Sequence, residues 1–360
     1  MDVKTKGKLR LRGFYMDLMK PINISSDKLS PDQPFTAIEL GKLWATYLGN
    51  SMSNRILNYF LKNVEDEHVK ILLENGYNLT VDFMKTIEKF FTNDKVAIPF
   101  GFTEEDVNLG APRLFEDQFY VHYLKYAAKA GLSLYSIAIP LTLREDIREF
   151  FIHCNNTTTI LLGQINNVLL EKGYIIKAPT LPVPTKVDFI QKENYLNGFF
   201  GDVRELHALE ITHLYDNIEN NITSKALLIG FSQVAKKEKV RNYFVKGKDI
   251  TDKEVQRFQD KMHKGNLPFP SQIDHLVTDS TFSPFSDRIM VFHKVDMFSM
   301  KIRSFANSMA VNGRRDIGLM YMKSLAEVSL YVEEGANIMI DHGWMEQPPK
   351  AVDRENLASK

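Results

Sequence analysis

The chain repeats its own landmark residues at an offset of about 170 positions, and this internal repeat constrains the fold more than any other feature. In the first part of each copy the offset is 171, as between Val69 and Val240. In the later part it is 170, and the matched pairs there are Phe115 and Phe285, Asp117 and Asp287, Arg144 and Arg314, Asp146 and Asp316, and Gly173 and Gly343. So many ordered matches predict two copies of one domain, fused head to tail.

The segment between the two copies contains Pro179, Pro182 and Pro184, and proline both resists helix formation and stiffens a connection. The length of the chain, 360 residues, also favours at least two domains. We therefore predict an N-terminal arm at 1–33, copy one at 34–176, a linker at 177–204, copy two at 205–350 and a C-terminal tail at 351–360.

Apolar residues recur at helical spacing in four segments of each copy, whereas alternating strand patterns are nearly absent. In copy one the predicted helices A, B and C cover about 36–62, 65–90 and 115–139, and helix D follows after Pro140. A long stretch rich in glycine and proline separates helix B from helix C, and such a crossover is typical of a ferritin-like bundle. The sequence therefore predicts an all-α protein of two tandem ferritin-like four-helix bundles.

Helix D has signals at both ends. Thr142 and Glu145 have the spacing of a capping box, in which the hydroxyl accepts from the Glu145 amide and the carboxylate reaches back. Gly173, and Gly343 in copy two, are placed to adopt the left-handed conformation after the last turn.

Charge and composition argue against several functional classes. Lys plus Arg number 45 and Asp plus Glu number 45, so there is no net charge to attract nucleic acid or an anionic membrane. The one clear cationic cluster, from Lys4 to Arg12, is interpreted as a solvated arm. The single cysteine, Cys154, allows no internal disulfide and fits a reducing compartment. Since no signal peptide or membrane span is evident, the sequence predicts a cytoplasmic protein.

Common catalytic and cofactor motifs are absent from the sequence. It contains no phosphate-binding glycine loop, no dinucleotide-binding glycine motif after a strand, no paired cysteines for zinc and no nucleophile elbow. The cofactor therefore stays unknown, with none predicted, and the interpretation leans towards a protein that is not an enzyme.

A di-iron centre is the sharpest alternative. Ferritin-type bundles bind iron or manganese through a Glu from each of two helices and a Glu-x-x-His pair from each of the other two. Copy one has such a pair, Glu65 and His68, but at a helix start, and copy two has Lys236 and Lys239 there. The weak candidate ligands are Glu39, Asp117, Asp146, His207, Glu210, Asp287 and His293. The acids among them fall near helix starts, where stabilisation of the helix dipole is the favoured interpretation.

Copy two contains long motifs that resemble a known family. They are 221–222, 230–236, 277–287, 314–316 and 343–349, and copy one carries a weaker version at 144–146, 173–174 and 179. From about Pro34 to Arg354 the chain resembles the domain of unknown function three-two-three-one, which occurs mainly in endospore-forming Firmicutes and is grouped with ferritin-like folds. The resemblance implies a tandem ferritin-like fold and no established activity, and it leaves a role in sporulation open.

Three functions stay open. The first is a non-catalytic intracellular protein for binding or assembly, which could be spore-associated. The second is an oxidase or store for iron or manganese with a non-standard site. The third is small-molecule binding between the helices, for which room could come from Gly76 of helix B and from the small residues of helix C, Ala127, Ala128, Ala130 and Gly131. The duplication also predicts pairing of the two bundles within the chain, in the manner of a fused homodimer, and leaves a homo-oligomer open.

Overall fold

Four long helices form each half of the chain in the computed structural model, which describes Ile22 and residues 30–358. In copy one they are α1 (Ala37–Asn63), α2 (Glu67–Asn93), α3 (Asp117–Ala138) and α4 (Glu145–Glu171). In copy two they are α5 (Ala208–Val234), α6 (Glu238–Lys264), α7 (Asp287–Ala310) and α8 (Arg315–Asp341), and a short α9 (Arg354–Ala358) follows. The described residues contain no named strand, and the prediction of an all-α protein with two tandem helical bundles is confirmed.

Most of the predicted N-terminal arm, 1–33, lies outside the described residues, apart from Ile22 and 30–33. The cationic cluster from Lys4 to Arg12 lies wholly outside them. Between the two copies, residues 172–207 contain a single short turn of 3-10 helix, Glu193–Leu196. None of the described helices is both long and apolar enough to cross a membrane.

The first helix of each copy begins with a capping box. At α1 the Thr36 hydroxyl accepts from the Glu39 amide at 3.3 Å, and the Glu39 carboxylate accepts from the Thr36 amide at 2.8 Å. At α5 the acceptor is the ring Nδ1 of His207 instead of a hydroxyl, and it accepts from the Glu210 amide at 3.2 Å. These contacts satisfy amides that have no partner within the helix, and they explain where both helices start.

The predicted capping box at Thr142 is wrong. The α4 helix begins at Glu145 behind Arg144, which caps it without a side-chain hydrogen bond, while the Thr142 hydroxyl donates to the Ile139 carbonyl at 3.3 Å. Glu39, from the start of α1, accepts instead from the amides of Leu143 and Arg144 at 2.9 and 2.8 Å. A carboxylate distant in sequence therefore satisfies the amides that precede α4.

The helices of each copy pair as two hairpins, α1 with α2 and α3 with α4 in copy one, and α5 with α6 and α7 with α8 in copy two. A long connection joins the hairpins, at 94–116 in copy one and 265–286 in copy two. The last helix of each copy ends as predicted, because Gly173 and Gly343 adopt φ of +67° and +65°. This arrangement agrees with the expected long crossover, and the ferritin-like classification stays a prediction.

The two bundles pack against each other, as the duplication predicted. The larger cluster of buried apolar side chains continues from copy one into copy two. Phe285, in the copy-two connection, contacts both Tyr59 of α1 and Phe231 of α5, at ring-centroid distances of 5.1 and 6.0 Å. Burial of this apolar surface stabilises the pairing of the copies.

The long connections meet each other through two isolated antiparallel bridges. Val107 pairs with Phe285, and Phe115 pairs with Val277. At the offset of 170, Val107 corresponds to Val277 and Phe115 to Phe285, so each bridge is the equivalent of the other. Contacts that repeat in this way are the signature of a twofold interface, here within one chain.

Candidate functional site

A cavity of about 180 Å³ lies in the core of the copy-one bundle. All four helices of copy one contribute to its wall, and α7 of copy two completes it. The wall is mostly apolar, and its larger apolar side chains are Leu57, Leu79, Phe83, Leu124, Leu134 and Leu161. We call this space the copy-one cavity.

The cavity exists because α3 carries small residues where it faces the bundle core. Ala127, Ala128, Ala130 and Gly131 all lie on the wall, in the region where the sequence predicted room. A side chain of one carbon or none leaves the space that a larger residue would occupy.

Copy two fills the corresponding space. The equivalents of Ala127, Ala128 and Gly131 are Met297, Phe298 and Lys301, and all three are buried. The ring of Phe298 packs on Tyr331 with centroids 4.3 Å apart, and Tyr331 stacks on Tyr243 at 4.2 Å. The same four-helix arrangement therefore has one open core and one filled core.

A buried ion pair occupies the filled core. Lys301 donates to Thr251 at 2.9 Å and lies 3.3 Å from the Glu254 carboxylate. Burial raises the pKa of Glu254 to about 7 and lowers that of Lys301 to about 8, and each charge partly offsets the effect on the other. Copy one has Phe83 and Gly131 at these two positions.

The polar part of the copy-one wall begins on α1. The Asn50 amide donates to the Thr46 carbonyl at 2.8 Å and to the Tyr135 hydroxyl at 3.3 Å. The Thr46 hydroxyl is fully buried and has no hydrogen-bond partner in the described part of the chain. Since a buried polar atom without a partner is costly, this hydroxyl is a place where a ligand or a water would bind.

Three residues of copy two, His293, Asp296 and Arg303, extend the polar wall from α7. The ring Nε2 of His293 lies 2.9 Å from the Tyr123 hydroxyl, while its Nδ1 has no partner among the described residues. Burial, with a contribution from the Lys294 charge, lowers the pKa of His293 to about 3, so the ring is neutral. Burial also raises the pKa of Asp296, and the Arg303 charge opposes that shift.

The acids predicted as weak metal-ligand candidates lie at helix starts. Glu39 is described above. Asp117 accepts from the Asp66 amide at 2.7 Å ahead of α2, and Asp287 accepts from the Lys237 amide at 2.8 Å ahead of α6. Asp146 pairs with Arg144 at 2.9 Å. Each of these carboxylates therefore has a local partner at the end of a helix.

The remaining candidates, His207, Glu210 and His293, do not share a site. Glu210 and His207 lie 3.5 Å apart, and Arg204 binds the same carboxylate at 2.8 Å, whereas His293 lies in the core beside Tyr123. Across the described residues, no group of three or more His, Cys, Asp or Glu side chains is arranged to hold a metal ion. The geometry gives the iron or manganese alternative no support.

Sequence reasoning identified the small residues of α3 but missed Asp296 and Arg303. Both lie on copy two, and they reach the copy-one cavity only because of how the bundles dock. The repeat itself contains one indirect signal, since the copy-one equivalent of Asp296 is Tyr126 and the positions differ in charge.

Comparison with known proteins identifies a family for both copies. The family described as "Protein of unknown function (DUF3231)" matches residues 24–187 and 195–357. A solved structure from Bacillus halodurans C-125, provisionally described as a spore coat protein, is 20% identical, and the match covers 44% of this chain and 100% of that one. Its TM-score is 0.37, at which the likeness supports no conclusion about function. No curated protein matches the chain.

Because the family matches twice and over most of the length, the chain belongs to the DUF3231 family of proteins of unknown function, as a tandem member.

Proposed function

We propose that the protein is a non-catalytic binding protein that holds a small, mainly apolar molecule in the copy-one cavity. One observation carries the proposal, which is the difference between the two copies. Copy two closes its core with Phe298 and Tyr331, whereas copy one has Ala128 and Leu161 at those positions and stays open. An open core is therefore not a requirement of the fold.

The cavity is partly open to solvent, because the exposed Arg303 lies on its wall. An apolar molecule that enters it removes the apolar part of the wall from water, and binding to the folded state raises the stability of that state. Occupancy would therefore have a measurable effect on thermal stability.

The size of the cavity sets the size of the ligand. An apolar cavity of about 150 Å³ accepts a benzene molecule. The copy-one cavity, at about 180 Å³, fits one aromatic ring with a short substituent or a bicycle such as indole.

The proposed cellular location and the excluded partners rest on the composition and on the family resemblance. We propose a cytoplasmic or spore-associated protein that binds neither nucleic acid nor membranes, since its net charge is zero. The twofold contact described above is made within one chain, so this contact does not require a homo-oligomer.

The test is the thermal stability of the full chain titrated with benzene, toluene and indole. Binding raises the Tm with ligand concentration, by an amount that corresponds to about 2.7 kcal/mol at 100 times the Kd. Ala128→Phe, which copies Phe298 of copy two, should abolish the shift because it fills the cavity. Ala326→Phe adds the same side chain at an exposed position of α8 and should keep the shift.

Two outcomes would contradict the proposal. One is the absence of any shift with all three probes. The other is an equal shift for wild type and a folded Ala128→Phe protein, because binding would then occur outside the copy-one cavity.

A further inference from the structure

We propose that the natural ligand is a small monoamine with an apolar body, and that its ammonium group binds the Asp296 carboxylate on the wall of the copy-one cavity. The inference rests on the binding function proposed above and names the chemical class of the ligand. It also makes the site a product of both copies, because Asp296 belongs to α7 of copy two.

Asp296 lies on the cavity wall without a partner among the described residues. Its carboxylate makes no hydrogen bond or ion pair within the part of the chain that the structure describes. The two tyrosine hydroxyls that its charge acts on are engaged elsewhere, since Tyr123 contacts His293 at 2.9 Å and Tyr126 donates to the Met297 carbonyl at 2.9 Å. The carboxylate is therefore free to bind a group inside the cavity.

The environment of this carboxylate favours a cationic partner. Asp296 is half-buried, and burial raises its pKa because a carboxylate that is partly removed from water is costly unless it is paired. An ammonium group at the wall would stabilise the ionised form and would donate charge-assisted hydrogen bonds. Among the other wall groups, the buried Thr46 hydroxyl has no partner among the described residues and can accept a hydrogen bond from a polar group in the cavity.

The other charged groups near the cavity do not reverse this preference. Arg303, on the wall two turns along α7, is solvent-exposed, so water and salt screen its charge. Lys42 of α1 has its pKa lowered by burial and by the Arg303 charge. His293 is neutral, and burial together with the Asp296 charge raises the pKa of Tyr123 and Tyr126, so both tyrosines are neutral. Of the two charged groups on the described wall, Asp296 is less exposed than Arg303, and its carboxylate therefore decides the sign of the ligand.

The rest of the wall restricts the ligand to a single charge. Beyond the polar wall, the cavity is lined by leucines, alanines and Phe83, which offer no second carboxylate. A diamine or polyamine would bury its second ammonium group among these side chains at a large cost. A ring or short alkyl chain with one amine satisfies both the polar and the apolar parts of the wall.

Equivalent positions of the repeat make this a single site in each chain. Asp296 corresponds to Tyr126, and the small residues of α3 correspond to Met297, Phe298 and Lys301. Copy two thus supplies the carboxylate and copy one supplies the space. A separated copy one would keep the cavity residues but lose the charge.

The experiment compares three probes of matched shape on the full chain: phenethylamine, its neutral isostere propylbenzene, and the anion 3-phenylpropionate. Calorimetric or NMR titration should give phenethylamine a Kd at least about tenfold lower than that of propylbenzene, as expected for a charge-assisted hydrogen bond. Asp296→Asn should remove this preference while propylbenzene still binds. Asp260→Asn makes the same charge change at an exposed position and should leave the preference intact.

The outcomes separate this inference from the proposed function. Equal binding of phenethylamine and propylbenzene by wild type, or tighter binding of 3-phenylpropionate, would overturn the amine assignment and leave the binding function standing. Failure of all three probes would overturn both. The comparison within wild type decides the matter even if Asp296→Asn does not fold.

Discussion

Tyr123 and His293 occupy equivalent positions of the two copies, 170 residues apart, and their side chains form a buried hydrogen bond of 2.9 Å. Residues related by a twofold axis can contact each other only on that axis, so the pseudo-twofold axis of the chain passes between α3 and α7 at this pair. The bridges at Val107 and Phe115 obey the same symmetry. The copy-one cavity lies beside this axis, with His293 on its wall.

Removal of the Tyr123 hydroxyl should destabilise the protein. Tyr123→Phe leaves a buried nitrogen of His293 without a partner, and we expect a loss of about 1–3 kcal/mol in the free energy of unfolding. The double variant Tyr123→Phe/His293→Phe should lose much less than the sum of the single variants, because both polar groups are gone. Urea denaturation measures all three, and strict additivity would show that the pair contributes nothing.

The buried Lys301–Glu254 ion pair should make folded copy two less stable than a pair of apolar side chains of similar volume would. Glu254→Leu leaves a buried ammonium group unpaired and should destabilise by about 3–5 kcal/mol, whereas Glu254→Leu/Lys301→Met should be neutral or stabilising by about 1–4 kcal/mol. The exposed pair Lys246–Glu334 provides the control, since Glu334→Leu should cost at most about 1 kcal/mol. A double variant as unstable as Glu254→Leu would contradict this account.

The equivalent glycines Gly76 and Gly247 should respond in opposite ways to alanine. At Gly247 a new methyl group would collide with the ring of Tyr331, which is held in a stack, so overpacking should cost about 1–3 kcal/mol. At Gly76 the colliding atom is the end of Leu124, which can move into the cavity, and the helix gains about 1 kcal/mol in propensity. Chemical denaturation of both variants measures the contrast. Equal destabilisation would show that the copy-one core is as tightly packed as that of copy two.

The stability of α1 and α4 should depend on the charge of Glu39. Burial alone would raise its pKa, but hydrogen bonds from Arg144, Thr36 and Leu143 outweigh burial and hold the pKa below the ordinary value of 4.5. A lowered pKa means that the stabilisation is fully present above 4.5 and is lost as the pH falls through the folded-state pKa.

Glu39→Gln should therefore cost about 1.5–3 kcal/mol at neutral pH, the usual contribution of hydrogen bonds to a charged group. The difference from wild type should shrink as the pH falls below 4.5. Denaturation across that range measures it, with the exposed Glu149→Gln as control. A difference that does not change with pH would mean that the charge of Glu39 has no part in the capping.

Local patterns predicted much of the fold but little of the site. The repeat and the helical spacing of apolar residues indicated eight helices, and Gly173 indicated the end of α4 correctly, because these features depend on neighbouring residues. The capping box at Thr142 failed because Glu39, distant in sequence, binds the nearby amides. Asp296 was missed for a related reason, since its place on the cavity wall depends on the docking of the two bundles.

The most direct test of an open copy-one core is a crystal structure of the full chain under xenon pressure, because xenon occupies apolar cavities of this size. The account predicts xenon density between α3 and the other helices of copy one, close to Ala128 and Leu161, and none at the equivalent place beside Phe298. Absence of xenon from copy one, with the surrounding leucines closed over the space, would contradict it, as would equal occupancy of both bundles.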